Sequence, residues 1–166
     1  MTNPPVTVRE ARQDEFDAVG DLTVAAYRAI PGETDDGYFA ELRRVAARAA
    51  SCTVLVAVEA SGEIVGTVTY IPGPDNPFAE LERDGEAGFR MLAVSPAAQG
   101  RGIGRVLVEA ALARARADGR AGVAIHTRPS MAAAHRVYAS FGFERDPSRD
   151  WEFEPGEWLW AMSLRF

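Results

Sequence analysis

A mixed α/β architecture, one sheet with helices on both faces, is the fold class this sequence predicts. Three observations carry it. Strand-like and helix-like stretches alternate along the chain. With 47% hydrophobic and 25% charged residues, the composition is that of a globular protein. The 166 residues are enough for one sizeable core, and no repeat or Pro/Gly linker divides them, so residues 1–166 are expected to form one domain.

Taken in order, Val6–Glu10 reads as a short strand. Asp14–Ala29 reads as a helix, because Phe16, Val19, Leu22 and Ala26 recur at helical spacing. Pro31-Gly32 breaks it, and a second helix is expected over Asp36–Ala50. Thr53–Glu59 and Glu63–Ile71 form a hairpin around Ala60-Ser61-Gly62. Pro72 to Glu86 is a loop, and Ala87–Val94 a strand running into Ser95-Pro96. A helix opens after Gln99-Gly100-Arg101-Gly102-Ile103-Gly104 and runs to about Asp118, with Ile103, Val106, Leu107 and Ala110 on one stripe. Gly119 is placed to end it in a left-handed cap. Gly122–Thr127 is a strand, Ser130–Phe141 a helix, Phe143 onward a strand and Trp158–Arg165 the last strand. The expected order is β-α-α-β-β-β-α-β-α-β-β.

Composition excludes several chemistries. All 18 basic residues are Arg. Without Lys there is no Schiff-base chemistry and no P-loop lysine. The net charge of −6 argues against nonspecific nucleic-acid binding. Residues 99–142 nevertheless hold 7 Arg against 2 acids, which points to a local anion site. Two histidines, His126 and His135, without clustered cysteines fall short of a metal set, so no metal is expected. Cys52 is alone and cannot form an internal disulfide. No apolar run approaches the ~18 residues of a membrane helix. Met1–Pro5 lacks the basic and apolar regions of a secretory leader. A cytoplasmic location without membrane contact is therefore expected.

The strand, Gly-rich turn and helix start from Val94 to Gly104 form a physically complete anion cradle. The turn lets several N–H groups point at one phosphate, and the helix dipole adds to the attraction. A dinucleotide fingerprint G-x-G-x-x-G begun at Gly100 would need Gly at 105, where Arg105 stands, and the expected acid about 20 residues on is missing. Instead, Gln99-x-x-Gly102-x-Gly104 after Met91-Leu92-Ala93-Val94-Ser95-Pro96 resembles the acyl-CoA pyrophosphate loop of the GCN5-related N-acetyltransferase (GNAT) superfamily. Ala134-x-x-x-Tyr138-x-x-x-Gly142-Phe143 matches its second signature. The resemblance spans the whole expected order of elements.

The resemblance implies a mostly antiparallel sheet splayed between its fourth and fifth strands, with acetyl-CoA in the gap. Pantetheine would lie along Leu92-Ala93-Val94, and the pyrophosphate on Gln99, Gly100, Arg101, Gly102, Ile103 and Gly104, with Arg101 and Arg105 adding charge. Family members often carry Asn where Met131 stands, so Ser130 or a water would have to substitute. Tyr138 matches the residue that protonates the departing CoA sulfur, and a phenol pKa of roughly 10 suits that task. The base is open. Gly88-Phe89-Arg90 lacks the fourth-strand Glu of some relatives, which leaves Glu86 upstream and His126 on the fifth strand. The acceptor would lie between Pro31–Tyr38 and the connection Arg145–Glu157, whose acids and aromatics suit a cationic small-molecule amine. Direct attack without an acyl-enzyme is expected; the alternative is a non-catalytic acyl-CoA sensor. Homodimers through the last strands are common in the family.

Overall fold

The computed structural model describes residues 5–33 and 35–166. Met1–Pro4, part of the stretch read for a leader, and Thr34 of the expected acceptor loop lie outside the described residues. The elements are β1 (Val6–Glu10), α1 (Phe16–Arg28), α2 (Asp36–Arg43), α3 (Val45–Ala49), β2 (Thr53–Glu59), β3 (Ile64–Ile71), β4 (Glu86–Val94), α4 (Ile103–Ala117), β5 (Gly122–Thr127), α5 (Ala132–Ser140), β6 (Glu144–Arg145), β7 (Trp151–Glu154) and β8 (Glu157–Arg165).

The sheet runs β1-β2-β3-β4-β5-β8-β6, with β7 added against β8. Every pairing is antiparallel except β4 with β5. Helices cover both faces, as the alternation of elements requires. Along β2, Leu55 and Ala57 enter the core beneath α4, while Val54, Val56 and Val58 enter a second one with Val19 and Val45. That two-sided burial explains a near-continuous apolar run. Gly66 on β3 lets α4 approach closely: a Cβ there would stand 2.9 Å from both Ile103 Cγ2 and Leu107 Cδ1. Gly119 ends α4 at φ +70°, and the Arg120 N–H reaches back to the Ala115 carbonyl at 2.9 Å, the expected left-handed cap.

Two expectations are corrected. The helix over Asp36–Ala50 is two helices, broken at Arg44, whose ψ of 54° leaves the helical region. The cause lies in Arg48, buried to 1% exposure, whose guanidinium donates to the carbonyls of Leu42 (2.9 Å) and Glu41 (3.4 Å) and to Thr69 Oγ1 (3.2 Å). It satisfies the last carbonyls of α2 in place of further helix. The strand expected from Phe143 onward is only the short β6; the connection after it contains β7, paired with β8 about a turn at Pro155-Gly156.

Candidate active site

The site begins where β4 and β5 part. They pair only at Glu86 with Gly122 and Ala87 with Val123, so the edge of β4 beyond Ala87 is not bonded to β5. On its other edge, β4 bulges against β3: Thr67 pairs Ala93 and Thr69 pairs Arg90, leaving Met91 and Leu92 opposite Val68. Met91 takes φ 55°, rare for a residue with a side chain. Beyond the bulge, the Ser95 N–H donates to the Val65 carbonyl at 2.8 Å. Backbone groups alternate between strand edges, so those of Ala93 face β3 while those of Leu92 and Val94 face the gap. Ala93 is thereby corrected as a ligand contact: its backbone is turned to β3 and its side chain is buried with Met91.

At the end of β4 the chain turns into α4 through Gly102, the residue preceding the helix, at φ +77°. The first helical bond runs from the Val106 N–H to the Gly102 carbonyl at 3.2 Å, so the N–H groups of Ile103, Gly104 and Arg105 belong to the open first turn. No side chain would meet a Cβ at Gly100 or Gly102, which leaves the turn open to a ligand. An open gap, backbone groups along one edge and an amide-bearing turn are what an extended acyl chain with a pyrophosphate requires, and the residues present fit acetyl-CoA.

The arginines of this region are engaged within the protein. Arg101 lies 2.6 Å from Glu59 in an ion pair with the β2–β3 turn. Arg105 donates to Ser140 Oγ at 2.6 Å and covers the Phe141 ring, tying α4 to α5. Ser130 is exposed in the turn before α5, and Met131 lines the cleft.

Opening off the gap on the α1–α2 side is a cleft of about 290 Å3. Met91, Leu92, Met131 and Tyr138 line it where the acyl end would arrive. Tyr27, Tyr38, Trp151, Phe153 and Leu159 give it aromatic and apolar walls. Asp35, Glu80, Arg90, His126 and Arg128 supply charge. Tyr138 is 4% exposed and packs with Phe89 and Phe143, and burial pushes its phenol well above the ordinary range, so it carries its proton. Arg128 pairs with the buried Glu33 at 3.2 Å and lies over the Phe153 ring.

Of the two carboxylate or imidazole candidates for the base, the structure brings only His126 to the cleft. Glu86 is corrected: it does not line the cleft, and Arg149 grips its carboxylate at 2.6 and 3.1 Å while the Arg83 N–H donates to it at 2.8 Å. Burial works against its charge, but these bonds outweigh it and hold its pKa low. His126 contacts Glu80, a residue of the β3–β4 loop that no sequence motif singled out; its Nδ1 lies 3.1 Å from Glu80 Oε2. Arg90 Nη2 lies 2.7 Å from Glu80 Oε1. Two of the acids expected to face an acceptor from the late connection are occupied, Asp150 by Arg145 and Asp146 by Arg149.

Comparison with known proteins agrees with this geometry. Residues 12–143 match the acetyltransferase (GNAT) family. No curated protein matches the sequence. A GNAT family acetyltransferase from Brucella melitensis, in complex with acetyl-CoA, is 25% identical with a TM-score of 0.66, over 99% of this chain and 90% of that one. The paia N-acetyltransferase from Thermoplasma acidophilum, in complex with coenzyme A, shares the fold at 12% identity and TM-score 0.74, over 98% and 99%. An acetyltransferase of the GNAT family from Staphylococcus aureus does so at 13% and 0.75, over 97% and 99%. With the splayed sheet, the amide-bearing turn and the family match over most of its length, the chain belongs to the GNAT acetyltransferase family, enzymes that move acetyl groups.

Proposed function

We propose that the chain transfers the acetyl group of acetyl-CoA to the primary amine of a small molecule by direct attack. The observation that carries this is the cleft, which joins the free edge of β4 to an aromatic-walled space of about 290 Å3. A space of that size suits a compact acceptor better than a folded protein surface. Pantetheine would pair with Leu92 and Val94, and the pyrophosphate would rest on the turn from Gln99 to Gly104. The Leu92 N–H, in the bulge, would stabilise the tetrahedral oxyanion as a preorganised donor. Tyr138, protonated and at the acyl end of the cleft, would give its proton to the departing thiolate. Cys52 is buried and bonded to Asn76, away from the cleft, which favours direct transfer over an acyl-enzyme.

A second reading, an acyl-CoA-binding sensor without turnover, is favoured by one observation: Met131 lines the cleft where relatives often carry an amide side chain. Thiol release from acetyl-CoA, measured against polyamines, aminoglycosides, amino acids, arylamines and short peptides, separates the two. Turnover with a small amine supports the enzyme and names its acceptor class. Tight CoA binding by calorimetry with no turnover on any amine supports the sensor. Among the described residues no helix is long and apolar enough to cross a membrane; a cytoplasmic location is part of the proposal, as is a homodimer through the last strands, which light scattering tests.

A further inference from the structure

Glu80 and His126 come from segments 46 residues apart and meet at the wall of the cleft. The imidazole is 8% exposed, and both of its nitrogens face acceptors: Nδ1 stands 3.1 Å from Glu80 Oε2, and Nε2 stands 3.0 Å from the Arg149 carbonyl. Neither a carboxylate nor a carbonyl has a proton to give. Each contact therefore needs a hydrogen on the ring, and the arrangement holds His126 as imidazolium with one removable proton on the line to Glu80. Arg90 fixes the other carboxylate oxygen at 2.7 Å. On β4 itself, Gly88 offers no side chain, and the space a Cβ would take is filled by the Glu82 carboxylate, which is tied to the Glu80 and Leu81 N–H groups. Among the described residues, Glu80 and Asp35 are the carboxylates that line the cleft. Asp35 already accepts from the Gly37 and Tyr38 N–H groups as the cap of α2.

We propose that Glu80 is the catalytic residue that takes the acceptor's proton, that His126 stores it, and that Arg90 positions the carboxylate. This rests on the acetyl-transfer reading above. In the competent form His126 is neutral and Glu80 anionic. The substrate ammonium gives one proton to Glu80, and the pair relaxes to imidazolium and carboxylate. The freed nitrogen lone pair forms the bond to the thioester carbonyl carbon, whose C=O electrons move to oxygen. When the C=O re-forms, the C–S bond breaks and sulfur leaves with its electrons. Tyr138 gives sulfur a proton and recovers one from the nitrogen. Of the three ammonium protons, one stays on the amide, one ends on CoA through Tyr138, and one leaves through the pair to water.

The charges around His126 set its titration. Glu80 and Glu82 face it from the β3–β4 loop, and Asp150 and the Arg149 carbonyl from the segment before β7. The Trp151 ring centre lies 6.3 Å away. The Arg149 guanidinium turns to Glu86 and Asp146, and Arg90 acts through Glu80. Burial disfavours the imidazolium, but the bonds to Glu80 and Arg149 outweigh it and raise its pKa above the ordinary histidine value. Burial likewise opposes the Glu80 charge, and His126 and Arg90 overcome it. Turnover therefore rises as pH climbs through the raised His126 pKa. The sign for stability is opposite: with Glu80 ionised, the His126 contribution is fully present below the ordinary histidine pKa and is lost as pH rises through the raised one. The Glu80 contribution is lost only in acid, as pH falls through its lowered pKa.

The test is kcat/KM for the amine against pH for wild type, E80Q and H126F. Acetyl-CoA affinity by calorimetry and the His126 ring shifts by NMR are measured on the same proteins. E80Q is expected to lower kcat/KM by about 100-fold with acetyl-CoA affinity unchanged, and to bring the His126 titration down. H126F is expected to remove the rise with pH while leaving acetyl-CoA affinity intact, which a merely structural role would not do. E80Q with wild-type rate and pH profile overturns the proposal, as does a His126 titration that E80Q does not move. Wild-type protein that turns over no amine overturns the acetyl-transfer reading instead, and the NMR titration then decides the Glu80–His126 pairing by itself.

Discussion

Gly102 and Gly104 stand two residues apart in the same turn, and the structure gives their replacement by alanine opposite signs. At Gly102 no atom lies within 4 Å of an added Cβ, so sterics from the rest of the protein contribute nothing. The cost is in the backbone, because φ is +77° and an L side chain pays about 1–2 kcal/mol there. At Gly104, φ lies outside the left-handed region, and the Cβ would meet only Val94 Cγ2 at 3.8 Å, an ordinary contact. In the first turn of α4, alanine then gains roughly 0.5–1 kcal/mol from lost unfolded-state freedom and better helix propensity. For a chain of this length 1 kcal/mol moves Tm by about 2–4 °C. Thermal unfolding followed by circular dichroism without ligand should therefore show G102A several degrees below wild type and G104A slightly above it. Calorimetry with CoA adds the functional arm. Relaxation of the Gly102 backbone turns the first amides of α4 away from a common point, so G102A should bind CoA at least about tenfold more weakly, a loss of about 1.4 kcal/mol. If G102A melts with wild type, the left-handed turn is not what the native state holds. If it binds CoA as tightly as wild type, the turn before α4 is not the pyrophosphate seat.

Three further perturbations follow from the packing. Y138F keeps the ring between Phe89 and Phe143 and removes only the hydroxyl. Turnover by thiol release should fall by about 100-fold while acetyl-CoA affinity by calorimetry holds; unchanged turnover takes Tyr138 out of the mechanism. G66A drives a methyl against Ile103 and Leu107 at 2.9 Å. Overpacking of this kind costs about 1–3 kcal/mol, to be read from urea unfolding, and a neutral result would show that α4 does not press on β3. R48M strips the donors from the Glu41 and Leu42 carbonyls at the end of α2. The loss should be about 2 kcal/mol by the same assay, with a raised amine KM because α2 carries Tyr38 into the cleft. A stable R48M with native KM would leave the break at Arg44 without its stated cause.

What the sequence determined is what short-range geometry encodes. The turn from Gln99 to Gly104 is six consecutive residues whose glycines and following apolar stripe specify a strand-to-helix turn, so that turn was legible without any tertiary information. The Gly119 cap and the position of Tyr138 on a short helix before Gly142-Phe143 were legible for the same reason. Tertiary structure decided which charges meet. Arg101 and Arg105 looked like free phosphate ligands, yet Glu59 and Ser140 engage them from other elements. Glu86 shares a face with the site by strand period, but Arg149, 63 residues on, takes its carboxylate. The break at Arg44 depends on a buried Arg48 that period alone counts as one more helical residue. Glu80 lies in a loop without periodicity, and it becomes a site residue only because the fold lays that loop against His126 and Arg90. Hydrophobic period and turn chemistry act over a few residues and fix local direction. An ion pair forms only where the folded chain brings two groups within about 4 Å, and that distance is set by the packing of the whole sheet.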